Sequence, residues 1–371
     1  MKKFKLRDST RIDFMDIGKC IAILFVVLTH VLQRTVYGYT AKDGWGSVLI
    51  LMLAVPPFFF FSGMSYRLKK PLSPLGFLYD IIRRAFLYLL PFIWFILLRM
   101  WIYDQWPTFN KAWDDLMLYP VSGLWVCWIL LWISLVLDIG LFISYFYPKL
   151  KVLFVSLSLV IGFIVLMLFR HYGTIQHNHT IGYDYFIIYA PVFLVGYLVG
   201  PYILKIKNIH LSIICLVIGL GSLFPISIYN HDIIRAVFLE KSQWMMYLAC
   251  LCSIVFYFGL INLIQKLKFS NVFAFFGQFT MEMYFLHLML IKNWKGMHLD
   301  HNWIIFWTSL GLFMLCLVNT LAVVVVTYFI PFLHFIMFGK HYSYYEFENN
   351  FFNKIKGFCY SNGRLETKEG S

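Results

Sequence analysis

Three polar side chains in the first long apolar run are the strongest candidates for chemistry. The run, DFMDIGKCIAILFVVLTHV, carries Asp16, Lys19 and His30. Lys19 and His30 are eleven positions apart, which in a helix is three turns plus about 20°, so both side chains leave one face about 16 Å apart. Asp16 precedes Lys19 by three positions and can pair with it. A buried histidine is well suited to remove a proton from a hydroxyl group near neutral pH.

The same three residues also have plain structural interpretations. His30 can be a packed histidine that is hydrogen-bonded to a neighbouring helix. Lys19 and Asp16 are more often an interfacial ion pair, with the lysine reaching toward water, than part of a catalytic site. On residue types and spacing alone, both interpretations stay open.

A second group of polar side chains lies in the segment GQFTMEMYFLHLML, which carries Glu282, Tyr284 and His287. Ionisable groups in the hydrocarbon layer are costly, so each is a functional candidate. Tyr284 and His287 are three positions apart and should lie close together on a helix, whereas Glu282 falls on a different stripe. Asp138 and Arg99 are further charges at membrane depth.

The basic residues around the second connection could bind phosphate. Arg83 and Arg84 open the third apolar run, close behind Arg67, Lys69 and Lys70. Guanidinium groups bind phosphates in a bidentate manner, and a nucleotide-containing donor such as coenzyme A presents several phosphates. The alternative is an anchor of positive charge at the membrane surface, which explains these residues without a ligand.

Metal and nucleic-acid sites are not predicted. His171, His177 and His179 share one connection, but no cysteine or acidic ligand has matching spacing, so a solvated loop is favoured over zinc. The seven cysteines form no CxxC motif. The net charge of +13 comes from basic residues spread between apolar runs, which predicts membrane topology and no nucleic-acid partner.

The elements that must position these residues are membrane helices. Of 371 residues, 61% are hydrophobic and 13% charged, whereas soluble domains have about 25% charged residues. A span needs roughly 20 apolar residues. The sequence therefore predicts an all-α, polytopic membrane protein with ten spans at about 14–36, 46–66, 82–103, 121–147, 151–169, 185–204, 210–229, 243–265, 273–293 and 303–333.

The distribution of basic residues predicts the orientation. Ten spans put both termini on one side, and the connections on that side are the richer in lysine and arginine, so we expect cytoplasmic termini. The ninth connection, with Lys292 and Lys295, is the exception. We predict one membrane domain over residues 1–333, followed by a cytoplasmic tail over 334–371 that is interfacial at first and then disordered.

Five motifs, taken together, resemble acyltransferase family 3, the polytopic O-acyltransferases of bacterial surface polysaccharides. MDIGKCIAILFVVLTH resembles the family's first helix, with a basic residue, ten positions and then histidine. PFFFFSGMSY resembles its second-helix motif, IIRRAFLYLLPF its arginine-rich third-helix start, and SGLWVCWILLW a later aromatic motif. GQFTMEMYFLHLML resembles its penultimate Tyr-x-x-His segment, and the matches follow the family order from Arg11 to about Phe332.

The resemblance implies a function that composition alone does not. It implies transfer of an acyl group, with acetyl the expected one, from cytoplasmic acyl-CoA to a hydroxyl of a cell-surface or lipid-linked carbohydrate, in a bacterial plasma membrane and without a metal. It also implies His30 as the catalytic histidine and Arg83 and Arg84 as donor-side residues. Lys19 stands where many members have arginine, although a sugar-acetylase-like branch has lysine there. Membrane lipids, the carbohydrate acceptor and polysaccharide-synthesis proteins are the expected partners.

Two other functions remain as alternatives. A transporter or flippase of a polysaccharide precursor would also contain intramembrane charges and broken helices, but no inverted repeat is visible in the sequence. A scaffold in a polysaccharide-synthesis complex would need none of the aligned polar residues. Within the enzyme hypothesis, the sequence leaves open whether Glu282, Tyr284 or His287 orients the acceptor or the catalytic histidine.

Overall fold

The computed structural model describes residues 12–35, 45–102, 125–172, 183–229, 243–292, 302–328 and 330–339. Their regular secondary structure is helical throughout, with no strand in these ranges, which confirms the all-α prediction for them. The α-helices are α1 Asp13–Thr35, α2 Trp45–Ala54, α3 Pro56–Arg67, α4 Pro74–Arg84, α5 Leu90–Ile102, α6 Trp125–Phe146, α7 Lys151–Tyr172, α8 Tyr183–Ile203, α9 Ile209–Tyr229, α10 Gln243–Ile264, α11 Ser270–Phe276, α12 Thr280–Lys292, α13 Asn302–Tyr328 and α14 Pro331–Phe338.

Eight segments of the described chain are long and apolar enough, by length and composition, to cross a membrane. They correspond to eight of the ten predicted spans. The described parts of the other two, 82–102 and 273–292, are also helical but are divided. A π-helix at Ala85–Leu89 joins α4 to α5, and a 3₁₀ turn at Gly277–Phe279 joins α11 to α12. The multi-pass membrane character is therefore supported, and the count of ten and the orientation stay predictions.

Proline explains two of the interruptions. The second predicted span is helical on both sides of Val55, where Pro56 and Pro57 begin α3 and break the hydrogen bonding. The predicted last span, at about 303–333, contains α13, which ends at Tyr328, and the start of a new helix at Pro331. The residue before a proline is disfavoured in the helical conformation, so a helix usually ends there.

The π-helix between α4 and α5 has a similar cause. Pro91 lies in the first turn of α5 and has no N–H to donate to the carbonyl of Leu87. A proline inside a helix also crowds the carbonyl four residues earlier, and a wider turn relieves that contact. Arg83 and Arg84, predicted to open the third span, are the last two residues of α4, just before this wider turn.

Packing of the helices divides the chain into two compact units. The first comprises Met1–Leu68 and Pro191–Val324, and the second comprises Lys69–Ala190 and Val325–Ser371. In the first unit, α1 packs against α2, α3, α11 and α12, and α9 pairs with α10. In the second unit, α6 pairs with α7 and also contacts α4, and α14 packs on α5.

Close helix approach in the first unit explains the Ser-Gly pair of PFFFFSGMSY. A Cβ atom on Gly63 would lie 2.0 Å from the carbonyl oxygen of Phe193, and one on Gly196 would lie 2.1 Å from that of Phe60. The backbones of α3 and α8 therefore touch through two glycines, as in membrane helix pairs generally. Gly63 therefore allows the two helices to approach closely.

Candidate active site

The histidines predicted in the first and ninth spans meet in the first unit. The ring of His30, on α1, lies 5.3 Å from the ring of His287, on α12, measured between centroids, and the two planes are inclined by 35°. His287 is only 1% exposed, whereas His30 is partly buried. The structure thus brings together two side chains separated by most of the sequence.

Two local features position His287. Gly277, in the 3₁₀ turn before α12, packs on the backbone of α1, since a Cβ atom there would lie 1.9 Å from the carbonyl oxygen of Asp16. Within α12, Nδ1 of His287 lies 2.8 Å from the carbonyl oxygen of Met283. The rings of Tyr284 and His287 are 6.0 Å apart, which confirms the predicted proximity of these two residues.

Glu282 lies on another side of the same helix. It comes five residues before His287, which corresponds to about 140° around the helix axis. Its side chain is completely buried, at 0% exposure. Its role in a site stays a prediction.

The other end of the predicted face of α1 contacts α3. Nζ of Lys19 donates to Oγ of Ser65 at 3.4 Å, and that hydroxyl lies 2.9 Å from the carbonyl oxygen of Phe61. Asp16 is buried, at 6% exposure, and its pairing with Lys19 stays a prediction. Lys19 and His30 therefore both face other helices of the first unit, and Lys19 is placed beside the SGMS segment.

The three arginines predicted for the donor belong to different units. Arg67, at the end of α3, lies in the first unit, with its guanidinium carbon 5.1 Å from the centroid of the Tyr197 ring. That distance is within the range of a cation–π contact. Arg83 and Arg84 lie in the second unit and differ from each other in their surroundings.

Arg84 is held in a buried cluster of four charges. Its Nε lies 3.1 Å from Oδ2 of Asp80 and 2.8 Å from Oδ2 of Asp138. Lys69 is ion-paired with Asp80 and lies 3.7 Å from Oδ1 of Asp138. The side chains of Arg84 and Asp138 are 8% and 0% exposed. Two cations and two carboxylates thus balance one another inside the second unit.

The pKa values of Asp80 and Lys69, two members of this cluster, follow from their neighbours. Burial raises the pKa of Asp80, but the positive charges of Arg84 and Lys69 outweigh it and hold this pKa at about 2. Burial and the charge of Arg84 lower the pKa of Lys69 to about 8. The side chain of Arg83 is 49% exposed, and its contact with Asp80 is long, at 3.8 Å, so Arg83, and not Arg84, presents its guanidinium group to solvent.

Sequence reasoning missed Asp80 and left Asp138 as an isolated charge. Asp80 and Arg84 have the i,i+4 spacing of a helical ion pair, so that partnership could have been found. A buried carboxylate such as Asp138 requires a cation, but its partner Arg84 is 54 positions away, and spacing gives no signal at that distance.

Some of the predicted features fall elsewhere in the chain. The connection with His177 and His179 and the tail from residue 340 lie outside the described residues, as do the side chains of Arg99 and His171. Among the residues that are described, no three His, Cys, Asp or Glu side chains are grouped as ligands for a metal ion.

Comparison with protein families identifies the chain. A family model described as an acyltransferase domain, that of acyltransferase family 3, matches residues 12–329. The chain belongs to acyltransferase family 3. No curated protein and no solved structure matches it significantly. The family domain includes α1 and α12, so both histidines of the pair lie within it.

Proposed function

We propose that this family 3 protein is a membrane-embedded O-acyltransferase that uses acyl-CoA, with acetyl-CoA the expected donor, and acylates a hydroxyl group of a cell-surface or lipid-linked carbohydrate. Family membership supports acyl transfer. The main support for the location of the site is the proximity of His30 and His287, which lie on two helices of the family domain with their ring centroids 5.3 Å apart. The location proposed is a bacterial plasma membrane, with polysaccharide-synthesis proteins as neighbours.

His30 is the proposed general base. One of its ring nitrogens removes the proton of the carbohydrate hydroxyl as that oxygen attacks the thioester carbonyl carbon. The carbon–sulfur bond then breaks, and the imidazolium returns the proton to the leaving thiolate. The products are an O-acyl ester and free coenzyme A, and the histidine ends in its starting state. Partial exposure of His30 suits a residue that must meet a substrate.

Arg83 is the proposed donor-side residue of the second unit. Its guanidinium group is half exposed, and its contact with Asp80 is long, at 3.8 Å, so it can turn to a phosphate of coenzyme A. Arg84 was predicted for the same task, but its Nε contacts both Asp80 and Asp138. We therefore assign Arg84 the task of holding α4 in place. Arg67 remains a separate donor-side candidate.

The test uses purified protein in nanodiscs, acetyl-CoA labelled in its acetyl group, and lipid-linked and surface glycans extracted from cells that lack the protein. We expect label in the glycan fraction, removable by mild alkali as an ester is, together with one free coenzyme A for each ester. His30→Ala should abolish both. His210→Ala is the matched control, because His210 is an exposed histidine at the start of α9.

Three results would overturn the proposal. Unchanged glycan labelling by a folded His30→Ala variant would remove His30 from the mechanism. Movement of unmodified glycan across the bilayer without release of coenzyme A would support the transporter alternative. Normal surface glycans in cells carrying alanine at both Lys19 and His30 would favour a scaffold.

A further inference from the structure

The hydrogen bond inside α12 determines which nitrogen of His287 carries a proton. Nδ1 lies 2.8 Å from the carbonyl oxygen of Met283. A carbonyl oxygen can only accept, so Nδ1 must be the donor and must carry a hydrogen. A second proton would make the ring cationic, which is costly for a side chain that is only 1% exposed. The neutral ring therefore has a bare lone pair on Nε2, which can only accept a hydrogen bond.

That acceptor is buried and lacks a partner within the described part of the chain. Nε2 of His287 is among the buried polar atoms with no hydrogen bond there, and the side chain is 1% exposed. An unsatisfied buried acceptor costs about 1–3 kcal/mol, and the great majority of such atoms in proteins do have a partner. A donor is therefore expected at this atom in the working protein.

His30 is well placed to be that donor. Two imidazole rings joined by one N–H···N hydrogen bond have centroids about 5 Å apart, since the nitrogens are about 3 Å apart and each lies about 1 Å from its centroid. The observed separation is 5.3 Å, at an inclination of 35°. Offset-stacked rings can have the same separation, about 4.5–7 Å, but the inclination of 35° is not that of a parallel stack. The spacing is therefore compatible with an edge-to-edge pair, and rotation of the His30 ring would align it.

We propose that His287 is a positioning residue for His30: its Nε2 accepts the N–H of one His30 nitrogen and so leaves the other His30 nitrogen bare. The bare nitrogen then accepts the hydroxyl proton, a last step that rests on the function proposed above. The resulting chain runs from the Met283 carbonyl through both imidazoles to the acceptor hydroxyl.

The arrangement has the role that a carboxylate has for the histidine of a serine protease. There, the partner fixes the tautomer and steadies the imidazolium that forms. Here the partner is a neutral ring held by a backbone carbonyl, which avoids a second full charge beside His30. Because His287 touches His30 and not the substrate, its loss should lower kcat and leave the KM for the carbohydrate nearly unchanged.

A pair of substitutions separates the acceptor from the shape of the ring. In His287→Gln, the amide oxygen can stand near the place of Nε2 and accept from His30. His287→Leu fills the space but provides no acceptor. We expect a loss of about 10- to 100-fold in kcat for leucine, as for other partners that orient a functional histidine, and substantial recovery with glutamine. His334→Leu is the control, since His334 is also buried but belongs to the second unit.

Nitrogen NMR of the full-length protein in nanodiscs, with isotope-labelled histidine rings, tests the pair without any substrate. The eleven histidines are assigned by comparing the single variants. We expect His287 to be protonated at Nδ1 and bare at Nε2, and the Nε2 resonance to move toward that of an unbonded nitrogen in His30→Ala. This result would support the proposal even if acyl transfer were not detected.

A proton on Nε2 of His287, or an Nε2 resonance that is the same with and without His30, would overturn the proposal. So would equal activity of the glutamine and leucine variants, because the loss would then follow from shape alone.

Discussion

The charge cluster of the second unit and the histidine pair of the first unit are opposite in character. In the second unit, Arg84, Asp80, Asp138 and Lys69 carry full charges, and each lies within ion-pair distance of an oppositely charged group. In the first unit, His30 and His287 form a pair of rings, and one nitrogen of the pair has no hydrogen-bond partner among the described residues. In the charge cluster every charged group has an oppositely charged neighbour, so we call this cluster saturated. In the histidine pair, Nε2 of His287 is an acceptor without a hydrogen bond among the described residues.

This difference suggests that one cluster stabilises the fold and that the other takes part in the reaction. Paired charges in a protein interior are costly to disturb, because removing one leaves the other unpaired. A buried atom that still lacks its partner tolerates a cost that the fold alone does not require. We therefore assign the saturated cluster to stability and the histidine pair to reaction, and the following predictions test that division from the largest expected effect to the smallest.

The largest effect is expected at the histidine pair. His30→Ala should lower acyl transfer by about 10²- to 10⁴-fold, the usual contribution of a general base, while the melting temperature changes little. Initial rates with labelled acetyl-CoA and thermal unfolding in detergent measure the two quantities. A large fall in melting temperature with a proportionate loss of activity would show that His30 has a structural role and not a catalytic one.

The saturated cluster should behave in the reverse way. Asp138→Ala leaves Arg84 buried without one of its carboxylates and should cost about 3–5 kcal/mol of unfolding free energy. Denaturant titration in mixed micelles measures this loss. Arg84→Met combined with Asp138→Leu removes both charges, so the double variant should be more stable than the sum of the single effects implies. Strict additivity would contradict the pairing.

Acid should weaken the second unit through Asp80. The folded pKa of Asp80 is about 2, against an ordinary value of 3.8, so the pairing stabilises the protein fully above pH 4 and is lost as the pH falls toward 2. The contribution is roughly 2 kcal/mol. Unfolding free energies measured between pH 5 and pH 2 should show this slope, and Asp80→Asn should reduce it. An unchanged slope in that variant would argue against the ion pair.

The smallest effect on stability is expected at Arg83. Its ion pair is long and half exposed, so Arg83→Ala should change the unfolding free energy by less than about 1 kcal/mol. If Arg83 binds a phosphate of coenzyme A, the same variant should raise the KM for acetyl-CoA. Arg83→Lys keeps the charge without the bidentate fork, so its KM for acetyl-CoA should lie between those of the unchanged protein and of Arg83→Ala. An unaltered KM in Arg83→Ala would contradict the binding of coenzyme A and would favour the alternative, in which Arg83 is an anchor of positive charge at the membrane surface.

How far the sequence predicted the molecule depends on the distance over which each feature acts. Apolar runs of about 20 residues predicted the helices, because that length is a local property. The proximity of Tyr284 to His287 was likewise a local prediction. The pairing of Arg84 with Asp138 was not predicted, and that of His30 with His287 was only one of several possibilities left open, because each joins distant segments. The division of predicted span nine also escaped prediction, since the turn at Gly277 depends on the packing of that glycine on α1. The division of span three had a local signal in Pro91 that was not recognised.

The π-helix at Ala85–Leu89 has a consequence for how this chain tolerates changes of length. Such a turn holds one residue more than the α-helical turn it replaces, so it is equivalent to a one-residue insertion inside a helix. Deleting one residue there would restore regular winding and turn the two flanking helices relative to each other by about 100°. Arg84 would then leave Asp138 or α5 would leave α14, so the extra residue sets the rotational register of this unit.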